Sequence, residues 1–272
     1  MAVHMTSPLE QFQVKPIFAL PMWHGIDTTI TNSALFMILC AVCVWLFFGV
    51  AMRKGAMVPG RLQALAEVVY GFVHEIVGEN AGKEGLKYFP FMFTVFLFIV
   101  GLNILGLLPY SFAPTSHVIV TLALGAVVFL FIVVVGIVRQ GPIGFFKHFL
   151  PDGIPLWILP LLFVIEMVSF LSRPFSLAIR LAANIGAGHT LMKVMAGFVL
   201  PMGIFGVLPM AFLLFMNGLE FFVAILQAYV FTLLACLYLG ESLADHHHEH
   251  DEHETAHEHA VLEANGTVHV PV

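Results

Sequence analysis

From Leu156 to Leu200 the chain reads LWILPLLFVIEMVSFLSRPFSLAIRLAANIGAGHTLMKVMAGFVL, a run without a polar loop and with Arg180 near its middle. As one helix it would be roughly 68 Å long at 1.5 Å per residue. That is more than twice the roughly 30 Å of a bilayer's hydrocarbon core. The next run, 204–239, would reach roughly 54 Å. Ordinary tilts of about 20° do not absorb the excess. Either these are two steeply tilted helices joined at Pro201-Met202-Gly203, with bends at Pro160 and Pro174, or they are four short spans. No polar turn around residues 175–185 could leave the membrane, and this favours the long hairpin.

Composition sets the solvent. The chain is 60% hydrophobic and 10% charged, against roughly 25% charged in soluble domains. It is read as an all-α integral membrane protein. The net charge of −6 is concentrated at one end, where the last 28 residues hold seven of the 17 acids and no Lys or Arg. The first 20 residues lack the apolar core of a cleavable signal and the Arg-rich pattern of a transit peptide. Cys40 and Cys43 form a CxxC inside the first span. A redox or metal pair would need neighbours that lower a thiol pKa, and none is near, so they read as packing residues.

Hydropathy predicts five membrane segments, at about 31–52, 90–108, 118–138, 156–200 and 204–239. Residues 61–82 have helical apolar spacing but four charges, which predicts an amphipathic helix lying in the interface. Residues 1–244 form the membrane domain. Residues 245–272 are expected to be a disordered tail in which eight histidines alternate with acids, with His246, His247 and His248 at most a weak metal site. With the N-terminus outside, Arg53, Lys54, Arg61, Lys83, Lys87, Arg139 and Lys147 all fall in cytoplasmic loops and only Lys15 outside. The positive-inside rule therefore places the N-terminus outside and the C-terminus in the cytoplasm.

A guanidinium cannot shed its proton, so Arg180 in hydrocarbon costs at least ~2.5–3.5 kcal/mol unless it has a function or a counter-charge. At 100° per residue, Glu166, Arg173 and Arg180 share one stripe with Ser176 and Asn184. His189, nine residues on, faces the other way, and Lys193 stacks one turn beyond it. Arg173, beside Pro174, reads most simply as a snorkelling or structural charge. In the final helix Asn217, Glu220 and Gln227 share a face. An antiparallel fold-back at about residue 204 brings Gln227 level with Arg180 and Glu220 level with His189. His and Glu are groups that can pass protons, whereas a fixed Arg between them and Glu166 cannot. The pattern is two half-paths separated by an electrostatic plug.

The runs SLAIRLAANIGAGH (Ser176–His189) and LQAYVFTLLACLYL (Leu226–Leu239) closely resemble subunit a of the F-type ATP synthase. Asn103-Ile104-Leu105-Gly106-Leu107-Leu108-Pro109 and the WHGID beginning at Trp23 are similar to the same family. The resemblance implies a proton-conducting stator subunit of the Fo sector, not itself catalytic, in a bacterial inner membrane. It implies that Arg180 faces the carboxylate of a rotating c-subunit ring, with Gln227 and Asn184 as its neighbours. It assigns His189 and Glu220 to the outer half-channel, and Glu166 with Ser176 to the inner one. The implied partners are the c-ring, the b/b′ peripheral stalk, the F1 sector indirectly and lipid, with no nucleic acid and no cofactor. Many bacterial members carry the acid where His189 stands and the histidine where Glu220 stands, so the pair is exchanged here. The His/Glu tail lies outside the family pattern. No P-loop is present, and no internal repeat marks a secondary transporter.

Overall fold

The computed structural model describes residues 13–14, 16–18, 29–53, 55–108, 111–147, 158–199 and 201–264; beyond Leu243 it describes backbone only. Six helices make up nearly all of it: α1 (Asn32–Ala51), α2 (Arg61–Gly85), α3 (Phe89–Gly106), α4 (Val118–Lys147), α5 (Leu159–Val199) and α6 (Val207–Ala264). Before α1, a short antiparallel pairing joins β1 (Pro16–Phe18) to β2 (Ile30–Thr31). Among the described residues, five segments are long and apolar enough to cross a membrane: Asn32–Ala51, Arg61–Gly106, Val118–Gly141, Leu159–Val199 and Gly203–Leu243.

The two long segments are each one helix. α5 runs unbroken through Pro174 for 41 residues. It ends ahead of a turn in which Gly203 takes φ +54°, a left-handed conformation that glycine adopts without the Cβ penalty. A 3₁₀ turn, Gly203–Gly206, then leads into α6. The four-short-spans alternative is set aside. α6 continues as helical backbone to Ala264, past the predicted end near 239 and into the stretch expected to be disordered from 245. No break in secondary structure marks that boundary.

The core lies where α6 is wrapped by α2, α3, α4 and α5. Val73, Val77, Met92, Ile99, Val128, Ile132, Leu181, Phe231 and Leu239 are all buried in it. Small residues set the closest approaches. Ala224, Ala228 and Ala235 line the buried side of α6, and Ala178 and Ala182 that of α5. A Cβ on Gly125 of α4 would come within 3.2 Å of the Pro174 carbonyl oxygen. α3 is pinned to α6 by a buried hydrogen bond from Asn103 Nδ2 to the Ala224 carbonyl, 3.1 Å. The Cys40 thiol is buried and directed at the Phe98 carbonyl, 3.7 Å, while Cys43 is exposed and both are free. Cys40 is a packing residue of the α1–α3 contact.

The position of α2 differs from the sequence expectation in one respect. Its apolar stripe, Ala66, Val73, Ile76, Val77 and Ala81, is buried against protein. Gly82, at φ +65°, breaks the helix and turns the chain. α2 then lies back along α3, with Tyr70 against Phe93 (5.6 Å between ring centroids) and His74 against Phe89 (5.5 Å), while Phe72 touches Tyr229 of α6 at 5.8 Å. An amphipathic helix beside an apolar bundle has two ways to bury its stripe, in lipid or in protein. Periodicity alone does not distinguish them.

Candidate functional site

Near the 201–203 turn, α5 and α6 bring together His189 and Glu220. The imidazole Nε2 lies 3.6 Å from Glu220 Oε1. The Glu220 side chain is 5% exposed, and neither of its oxygens accepts a hydrogen bond among the described residues. It fits because position 188 is glycine. A Cβ there would lie 2.6 Å from Oε1 and 2.9 Å from the carboxyl carbon. Gly188 is a site residue that the pattern of ionisable groups did not single out, although its place beside His189 offered a signal.

One and a half turns along α5, Asn184 Nδ2 donates to Gln227 Oε1 at 3.3 Å. Gln227 is buried at 2% exposure, and its Nε2 makes no hydrogen bond among the described residues. No hydrogen bond joins Arg180 to Gln227 among the described residues. Arg180 stands on the exposed side of α5 with Ser176, Ala183, Asn184 and Ala187, opposite the buried Leu177, Ala178, Leu181, Ala182 and Ile185. The hydrogen-bonded neighbour of Gln227 on α5 is thus Asn184, one turn beyond Arg180. The constant-sum rule holds near the turn, where 189 faces 220. It slips further away, where 173 faces 241, because the two helices are not flush along their length.

At the other end of the pair, Arg173 joins three groups. Its Nη1 is 2.9 Å from Glu241 Oε2, its Nη2 is 4.0 Å from Glu166 Oε1, and its guanidinium lies 4.7 Å over the Tyr238 ring. Arg173 is thus a structural ion pair between α5 and α6, as the simpler sequence reading has it, and it also holds Glu166. Glu241 and Tyr238 were missed, since Glu241 follows the apolar run as an ordinary residue and Tyr238 sits inside it as one more aromatic. Close by, Arg139 of α4 pairs with Glu84 at 3.0 Å and Lys87 pairs with it at 2.7 Å, while Gln140 Nε2 donates to the Ser242 carbonyl at 2.9 Å. Basic residues that the sequence assigns to one side of the membrane are collected at this one end. Among the described residues, Lys193 and Ser176 make no hydrogen bond or ion pair that would add them to either cluster. Among the described side chains, no group of three or more His, Cys, Asp or Glu could hold a metal ion.

Five apolar membrane-length helices, with an acid–imidazole pair buried between two of them and a guanidinium on the open face, define a polytopic membrane protein with an ionisable seam. The family model of the ATP synthase A chain matches residues 34–240. The chain belongs to that family. It is 49% identical over 238 residues to ATP synthase subunit a of Wolbachia sp. subsp. Drosophila simulans (strain wRi), covering 87% of this chain and 98% of the relative. It is 47% identical over 243 residues to ATP synthase subunit a of Rhodospirillum rubrum (89% and 100%), and 46% over 241 to that of Ehrlichia canis (88% and 99%).

Proposed function

We propose that this chain is the proton-conducting stator subunit of the Fo sector of a bacterial inner-membrane ATP synthase, with the N-terminus outside and the C-terminus in the cytoplasm. The observation that carries the reading is the division of labour along α5. A buried His189–Glu220 pair and an exposed Arg180 lie nine residues apart on one helix, about 13 Å along the axis. His189 and Glu220 are the outer proton relay, delivering protons toward Arg180 from the side of the 201–203 turn. Glu166, seven residues beyond Arg173, belongs to the inner path.

Arg180 is the barrier between them. It always carries its charge, so it repels a proton arriving from either side and attracts a carboxylate on a facing helix. Ser176, Ala183 and Ala187 beside it are small, which lets a facing helix approach closely. That facing helix is one of the c-subunit ring. Rotation carries each carboxylate past Arg180 as an anion and past each half-path to gain or lose a proton. The b/b′ stalk holds the chain fixed, nucleotide chemistry sits on F1, and the driving force is about 2.3 kcal/mol per proton per 100 mV. Asn184 and Gln227 position the wall between α5 and α6 next to Arg180. The bundle end that gathers Lys87, Arg139 and Arg173 accords with a cytoplasmic inner side.

The test is ATP-driven acidification of inverted membrane vesicles carrying Arg180→Ala. Pumping lost from a complex that still assembles supports the reading. Pumping at the wild-type level overturns it.

A further inference from the structure

The helical backbone of α6 reaches Ala264, well past residue 240, where the family match ends. The Rhodospirillum rubrum relative is covered along its full length while about a tenth of this chain is left unmatched. The stretch from Asp245 reads DHHHEHDEHETAHEHAVLEANGTVHVPV. On a helix of 100° per residue, His246, His250, His253 and His257 fall within about 60° of one another. Their spacing of four, three and four is the repeat that keeps residues on one stripe. Two of the intervals are His-x-x-x-His. The second, His253-Glu254-Thr255-Ala256-His257, has HExxH spacing, which places two imidazole-bearing positions one above the other on a helix. Glu249 and Glu254 sit at register positions flanking the stripe on either side. His247, His248 and His259 fall off it.

We propose that this helical extension binds first-row divalent cations of the zinc type at the two His-x-x-x-His pairs of the stripe, His246 with His250 and His253 with His257, whose centres lie about 10 Å apart along the helix and so do not share one ion. Imidazole donors with flanking carboxylates suit Zn²⁺ and its neighbours, and disfavour Mg²⁺ and Ca²⁺, which take all-oxygen sets. The lack of Lys and Arg from 245 onward leaves the net field at the extension attractive to a cation. The proposal is for binding, with no hydrolytic step. It stands independently of the proton-conducting reading, since the tail lies outside the residues that reading uses.

The experiment is calorimetric titration of ZnCl₂ into the detergent-solubilised ATP synthase complex containing the full chain, compared with a complex lacking residues 246–272. Heat present only with the full chain supports the site, and equal heats overturn it. Two double variants, His246→Asn with His250→Asn and His253→Asn with His257→Asn, are each expected to weaken Zn²⁺ binding at the altered pair by ~10–100-fold or more, the loss seen when even supporting ligands are removed, while the other pair still binds. A third, His248→Asn with His259→Asn, removes as many histidines but leaves the stripe intact, and its affinity is expected to match wild type. If it weakens binding as much as the stripe variants, histidine content rather than helical register holds the metal, and the proposed site falls.

Discussion

The carboxyl group of Glu220 rests directly over Gly188, so that a Cβ at position 188 would stand 2.6 Å from Oε1. The missing side chain on one helix makes the space for the acid on the other, and sets its distance to His189. Gly188→Ala must therefore push Glu220 off its seat. Displacements near 1 Å at a reacting group can cost ~10²-fold in rate. Proton pumping by vesicles carrying Gly188→Ala is expected to fall by ten- to a hundredfold on that scale, with the complex assembled. Unchanged pumping would mean that the position of Glu220 is not important to conduction.

His189 and Glu220 approach to 3.6 Å, and one acid with one imidazole is what the contact needs. Exchanging them, His189→Glu with Glu220→His, is expected to retain more proton transport than either single change. Losses that simply combine in the double variant would show that the two side chains act separately.

The bond between Asn184 and Gln227 makes their energies interdependent. In a double-mutant cycle of Asn184→Ala and Gln227→Ala, read by thermal denaturation in detergent, a coupling of about 0.5–1 kcal/mol is expected. The lower end applies because Asn184 is exposed. Strict additivity would remove the bond from the account.

Arg173 ties α5 to α6 through Glu241 and holds Glu166 on the way. Both carboxylates are substantially exposed, so Arg173→Ala is expected to cost no more than about 1 kcal/mol of stability. Its larger effect is expected on proton movement, since Glu166 and Glu241 are then left without their shared cation. Arg173→Lys keeps the charge but not the two-armed geometry, and should recover part of the loss. A stability loss with unaltered proton conductance would make Arg173 purely structural.

Deletion of residues 246–272 leaves His189, Glu220, Arg180, Asn184 and Gln227 in place. ATP-driven pumping and coupled ATP hydrolysis are expected to be retained. A coupled complex that fails without the tail would show that the extension takes part in the motor.

What the sequence determined by itself follows from local chemistry. Apolar runs too long for an upright span forced two long helices and a turn at Pro201-Met202-Gly203, because backbone polar groups in hydrocarbon are satisfied only within helices. The facing of His189 and Glu220 followed from a fold-back centred at about residue 204, just after that turn. Only the tertiary structure decided the rest. Helical period says which residues share a stripe, but not whether the stripe meets lipid or protein, so the burial of α2 could not be read from it. Counting from the turn says which levels of two helices meet but not which side chains bond, so it did not single out Asn184 as the residue that hydrogen-bonds Gln227. Glu241 and Gly188 carry no unusual local pattern. Their roles come from what an adjacent helix places against them, Arg173 in one case and Glu220 in the other.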